Sequence, residues 1–265
     1  MRGKFMKKIF IILICLYSLT VLADEKKISQ PINLVSKYQE LKKTAENGDI
    51  ESQYEIWNFT MNNRPKLDNR LREAFSFLTK AGQSGHIGAQ FIIGSMYQTG
   101  TMREKNSDVA LGWLLEAANN GHKKAQLLVA NNYANRAVDA DDDETKNKNE
   151  KLAVYWYEKS IQDNNILAVK AYGIFLFMMD TFSEKSKILL EQAANKNDSS
   201  AMYWLGKMYA YRWSDNKRDV EFDLAHSWLE KAKLHGYKSQ EFIDGLNERK
   251  KNYLERIAKE NKEEK

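Results

Sequence analysis

The chain repeats itself. A nine-residue block that opens on a small residue recurs as AQFIIGSMY from Ala89, AQLLVANNY from Ala125, AVKAYGIFL from Ala168 and AMYWLGKMY from Ala201. A degenerate copy, SQYEIWNFT, starts at Ser52. Each is followed by a second block: FLTKAGQSG from Phe77, WLLEAANNG from Trp113, WYEKSIQDN from Trp156, LLEQAANKN from Leu189 and WLEKAKLHG from Trp228. One such unit cannot bury its own apolar face, so the chain has to stack neighbouring units into a continuous core.

The spacing inside the blocks is helical. Apolar residues return three to five places after the opening small residue, which puts them on one face of a helix. Gly94, Ala130, Gly173 and Gly206 stand at matching places and predict a close neighbour there. A small residue also stands three places before every second block, at Ala74, Ala110, Ala153, Ser186 and Ala225, which suits a second helix packed into the first. The second blocks end at Gly85, Gly121, Asn164, Asn197 and Gly236, residue types that accept the left-handed conformation closing a helix. Those ends lie 36, 43, 33 and 39 residues apart. A half-copy from Leu41 to Gly48 predicts a cap at the front, and the stripe Phe242, Leu246, Tyr253 and Ile257 predicts one at the back.

Composition agrees with helix. Only Pro31 and Pro65 occur, and a proline inside a helix costs about 3 kcal/mol. With 43% hydrophobic residues the chain can build a core, which excludes global disorder. The first 23 residues differ in kind. Arg2, Lys4, Lys7 and Lys8 precede an apolar run from Ile9 to Tyr17, and Val21-Leu22-Ala23 offers small residues for cleavage, the layout of a secretory signal peptide. The apolar run is shorter than the roughly 20 residues of a membrane span. The expected organisation is a cleavable signal at 1–23, a linker and capping helix at 24–48, a repeat array at 49–236, and a capping helix with a charged tail at 237–265. The expected location is the periplasm or the exterior, with no stable membrane insertion after cleavage.

Charge and cysteine then narrow the function. The whole chain has 41 basic and 36 acidic residues, net +5. The leader holds four of the basic residues and no acidic one, so the remainder has 37 against 36, net +1. That balance gives no reason to expect nucleic acid as a partner. The single cysteine, Cys15, sits in the leader, which excludes a thiol nucleophile or a cysteine metal site in the rest.

The tandem blocks resemble the Sel1-like repeat (SLR) family, a relative of the tetratricopeptide repeats, over residues 37 to 236. They approximate its paired signature, A-x-x-x-L-G-x-x-Y followed by W-L-x-K-A-A-x-x-G. The resemblance implies an all-α, right-handed α-solenoid of about five two-helix repeats with helical caps. It also implies an adaptor whose first helices line a concave face. Some exported bacterial members are immunity proteins against type VI-secreted phospholipases, so the resemblance implies a protein partner, in its sharpest form a secreted toxic effector. A cysteine-rich secreted branch is linked to β-lactam and peptidoglycan binding, which supplies the alternative of a wall-binding protein or hydrolase. The lack of cysteine after the leader separates this chain from that branch.

No catalytic motif is found: no Gly-x-Ser-x-Gly elbow, no His-Glu-x-x-His, no phosphate-cradling loop. The expectation is therefore a non-enzymatic protein without cofactor or metal. His86 and His122 share one repeat position, just after a closing glycine, so periodicity explains them better than metal binding. From Asp139 to Glu150 the chain reads DADDDETKNKNE, which places Asp139, Asp141, Asp143, Asn147 and Glu150 at ligand positions of a calcium loop. Glu144 stands where that loop needs glycine, and the stretch falls in the longest repeat, so a solvated insertion is expected. The repeat register predicts the partner-binding face from first-helix residues turned away from the second helices. These are Tyr54 and Asn58; Phe91, Ser95 and Gln98; Leu127 and Asn131; Lys170, Ile174 and Phe177; Tyr203, Lys207 and Tyr211. Their mixture of aromatic, amide and lysine side chains is that of an interface.

Overall fold

The computed structural model describes residues 34–64, 66–162 and 165–263. The expected leader at 1–23, the linker residues before 34 and the closing position Asn164 lie outside these. The described residues form twelve α-helices and one 3-10 turn. The chain divides into two compact units between residues 90 and 91.

The first unit holds α1 (Leu34–Glu46), α2 (Ile50–Asn62), the 3-10 turn Asp68–Arg70 and α3 (Leu71–Gln83). Tyr38, Leu41 and Ala45 of α1 pack with Ile56, Leu67 and Phe77, so the half-copy forms a helix with a buried stripe. The Tyr38 hydroxyl donates to Glu73 at 2.7 Å, and Lys42 pairs with the same carboxylate. Burial opposes ionisation of Glu73, but the bonds from Lys42 and Tyr38 outweigh it and hold the carboxyl below the ordinary range.

The second unit starts within α4 (Ile87–Thr99) and continues through α5 (Ser107–Asn119), α6 (Lys123–Val138), α7 (Asp143–Ser160) and α8 (Ile166–Met179). It ends with α9 (Glu184–Ala194), α10 (Ser199–Asn216), α11 (Asp219–Leu234) and α12 (Gln240–Glu263). First and second helices of each pair meet along one core that runs from Leu114 through Val129, Tyr172 and Leu190 to Leu205. The last cluster joins Trp213, Phe222 and Leu229 to Ile243 and Leu246 of α12.

The second helices α3, α5, α9 and α11 close in the same way. In α5, Gly121 (φ 85°) donates to the Ala118 carbonyl at 3.0 Å, and His122 donates to the Ala117 carbonyl at 3.0 Å. This pair of hydrogen bonds needs a residue in the left-handed conformation, which glycine adopts without a Cβ clash. Asn197 does the same at φ 64°. The residue after the closing position then caps the next first helix: His122 Nδ1 accepts from Ala125 N at 3.1 Å, and Asp198 Oδ1 accepts from Ala201 N at 2.9 Å. One residue thus ends one helix and starts another, which keeps successive pairs in fixed register. Gln53, Gln90 and Gln126 reinforce the joint by donating their side-chain amides to the Ala45, Gly82 and Ala118 carbonyls of the helix before.

Within a pair, the expected close approach occurs. A Cβ on Gly206 would stand 2.6 Å from Leu229 Cγ, and one on Gly94 would stand 2.7 Å from Leu114 Cγ. The longest repeat departs from the expected loop. Asp142 caps α7 by accepting from Thr145 N at 2.8 Å, and the chain is helical from Asp143 onward. Asp143, Asn147 and Glu150 are therefore strung along one helix face and do not curl around a common centre. The insertion lengthens the pair to α6 of 16 and α7 of 18 residues, where α5 has 13. Its first turns are solvated as expected, but as helix.

Candidate functional site

The lengthened pair makes a wall. Between the C-terminal half of α6, the start of α7 and the end of α8 lies a cavity of about 870 Å³, which Gln98 of α4 also reaches. Ala134, Ala137, Ile174, Phe175 and Met178 supply much of its apolar lining. Polar groups converge from the α7 side and the first-helix face: Gln98, Asn131, Asp143, Lys146, Glu150 and Tyr157.

Tyr157 occupies the place that Leu114, Leu190 and Leu229 hold in other pairs. Its ring is buried, and its hydroxyl donates to Asn131 Oδ1 at 2.7 Å. Burial pushes that hydroxyl above the ordinary tyrosine range, so it remains a donor at physiological pH. Glu150 has a side chain only 17% exposed, and its Oε1 lies 4.0 Å from Lys146 Nζ, too far for a hydrogen bond. Glu150 Oε1 and Gln98 Oε1 are both buried and accept no hydrogen bond from the described residues. On the rim, Val138 is 69%, Met178 62% and Met179 41% exposed, an apolar edge open to solvent.

The residues expected on the binding face divide into three groups. Gln98, Asn131 and Ile174 line the cavity. A second group packs repeat against repeat. Tyr54 stacks on the His86 ring at 4.0 Å, Phe91 on His122 at 4.2 Å, and Tyr203 on Tyr237 at 4.5 Å. Lys170 instead pairs with Asp198 at 2.8 Å. All four stand two places after the opening small residue, and each meets the residue that follows a second helix. These four are seam residues, each already engaged within the repeat array. The third group is spread more widely. Phe177 is only 5% exposed, between Trp204 and Tyr211, so it belongs to the core. Leu127 is half-buried against the same core. The Ser95 hydroxyl donates to the Phe91 carbonyl of its own helix, and Asn58 is half-buried. Lys207 lies 4.5 Å over the Trp204 ring, and Tyr211 remains 45% exposed.

The expected binding face does not include Val138, Met178 and Met179, nor Glu150, which the sequence singles out only as a position of the acidic stretch. One signal for Met178 was present: it stands one helical turn after Ile174, on the same face. The 43-residue spacing of the longest repeat marks where the wall rises, although the acidic run there has the composition of a loop and is helical from Asp143 onward. Among the described residues no group of three or more metal-capable side chains comes together, and no helix is long and apolar enough to cross a membrane.

The family described as Sel1 repeat matches residues 87–122, 125–165 and 199–237. Among solved structures, a Sel1 repeat protein from Oxalobacter formigenes is similar at 21% identity with a TM-score of 0.51, covering 77% of this chain and 85% of that one. A protective antigen with an SLR fold, present in uropathogenic Escherichia coli strains, is 17% identical with a TM-score of 0.37, covering 82% of this chain and 59% of its own. No curated protein matches the chain. Sel1 repeat proteins are generally protein-interaction modules, and their fold is typically a non-enzymatic scaffold. With three matched repeats in a tandem array of helix pairs, the chain carries Sel1 repeats and has the all-helical solenoid fold of such proteins.

Proposed function

We propose that this chain binds a protein partner at the cavity walled by α6, α7 and α8. The observation that carries the reading is the open edge of Val138, Met178 and Met179 beside a cavity of about 870 Å³. Clustered exposed apolar residues rimmed by polar ones mark interaction surfaces, and methionine adapts its shape to what it meets. The repeat supplies that surface already formed, so little ordering entropy opposes association. Ile174→Glu and Met178→Glu would bury a charge against a docked partner. Each should reduce capture of the parent's partner from an extracytoplasmic extract by about 2 kcal/mol, with the helical circular-dichroism signal retained. Equal capture by parent and variants would place the surface elsewhere.

The finer reading is of an exported immunity protein whose partner is a secreted toxic effector. Its support is the basic start, short apolar run and Val21-x-Ala23 of the leader, together with the family resemblance. Protein from the extracytoplasmic fraction should begin at Asp24 on N-terminal sequencing, and retention of Met1 there would refute export by cleavage. The alternative of a wall-binding protein or hydrolase shares the same surface. Turnover of a β-lactam or a peptidoglycan fragment by the purified chain would replace the present reading with that one.

A further inference from the structure

We infer that an acidic side chain of the partner is received where α10 meets α12, at Lys207 and Arg249. The inference rests on the docking reading above and adds the charge that the partner brings. Tyr211 stands ten places after Ala201, as Met178 stands ten after Ala168, and both are exposed. Phe177, the neighbour of Met178, packs against Trp204 and Tyr211, so the open apolar edge continues from α8 onto α10. Lys207 lies one helical turn before Tyr211.

Rings alone hold Lys207. Its Nζ lies 4.5 Å from the Trp204 ring centroid, 5.7 Å from that of Tyr203 and 5.8 Å from that of Phe242 in α12. Among the described residues it pairs with no carboxylate and donates no hydrogen bond. Three other lysines that lie over a ring of a neighbouring helix each reach an oxygen as well. Lys185, over Tyr172, donates to Glu158 at 2.7 Å, and Lys250, over Phe222, pairs with Asp219 at 3.1 Å. Lys217, over Tyr253, donates to the Ser214 carbonyl. A ring face attracts an ammonium but does not saturate its three donors, so Lys207 lacks the acceptor that the others have. Arg249 is exposed and turns toward the same Phe242 ring, 5.5 Å from its centroid. Its Nε donates to the Gly245 carbonyl at 3.1 Å, and its remaining N–H groups bond to no described residue. Glu241, whose charge bears on Tyr203, pairs with neither cation.

A carboxylate supplies what both cations lack, charge and acceptor lone pairs in one small planar group. The exposed Tyr211 and Met178 alongside call for apolar neighbours on the same segment, so the occupant is an acidic and apolar stretch of protein and not a free anion.

The test uses the full chain labelled at indole nitrogens and methionine methyls. Its probes are acetyl-Leu-Glu-Leu-Glu-Leu-amide and the same peptide with glutamine for both glutamates. At low ionic strength the glutamate peptide should shift the Trp204 indole N–H and the Met178 methyl, and bind about fivefold tighter than the glutamine peptide. Lys207→Gln and Arg249→Gln should each reduce that preference and together abolish it, with spectra that show folded protein, while Lys207→Arg should keep it. Equal binding of the two peptides to the parent, or a preference that survives the double substitution, would overturn the acidic assignment. So would inorganic phosphate that shifts the Trp204 signal as strongly as the glutamate peptide does. The docking reading stands or falls separately, on capture by Ile174→Glu and Met178→Glu.

Discussion

His122 closes α5, caps α6 and covers the Phe91 ring, so a single imidazole holds one junction together. The cap requires an unprotonated Nδ1. Partial burial, and after it the Lys124 charge, hold this imidazole below the ordinary histidine range. A depressed folded-state value means that the unfolded chain binds the proton more readily. The stabilisation is complete above the unfolded value of about 6.5 and is lost as pH falls through the lower folded one. His122→Asn keeps a capping oxygen but removes the titration and the stacked ring. Urea unfolding should show a loss of about 1 kcal/mol at neutral pH. The gap to the parent should narrow toward pH 5, and a gap that widens instead would contradict the cap. Phe91→Ala tests the same seam from the other side. It should lower the urea midpoint, and a variant that loses partner binding at full stability would return Phe91 to the binding face.

At the scale of the helix pair, contact distance decides which glycines can be replaced. Gly206→Ala forces a methyl into Leu229 and should cost about 1–3 kcal/mol, the range for overpacking a tight interface. Gly112 lies in α5 with nothing within 4 Å of a new Cβ, so Gly112→Ala should stabilise by about 0.5–1 kcal/mol. Thermal melts of the two variants should move in opposite directions. The pairing was legible because it is written in local signals: small residues where helices touch, and glycine or asparagine where they close. The site was less so. Whether a half-buried first-helix residue faces a cavity or a seam depends on what the next repeat places opposite it, and that partner is about thirty residues away. Lys170 is a plain case, since only Asp198 reveals that it is engaged. The acidic run at 139–150 misled for a different reason. Exposed helix with a good cap and an i,i+4 pair such as Lys146–Glu150 has the same composition as a loop.

For the whole chain, stability should come from stacked pairs and not from a cross-link or an ion. Cys15 is the single cysteine. A circular-dichroism melt should keep its midpoint in chelator and in reductant, and a marked fall with chelator would reveal a bound metal. Truncation after Ser239 would uncover Trp213, Phe222 and Leu229, which α12 covers with Ile243 and Leu246. Because repeat arrays are coupled mainly to nearest neighbours, amide exchange should quicken in α10 and α11 while α5 and α6 keep their protection. Uniform loss along the second unit would mean that it unfolds as one block. The junctions themselves carry a further consequence. Tyr54 meets His86, Phe91 meets His122 and Tyr203 meets Tyr237 as stacked rings, whereas Lys170 meets Asp198 as an ion pair, so one joint is keyed differently from the other three. If the blocks were shuffled, Lys170 would face a ring and Asp198 an aromatic, each without its counter-charge. One place in the order of the repeats is thus spelled out in the joints, and a chain cut and rejoined at the Lys170–Asp198 joint would meet mismatched ends there.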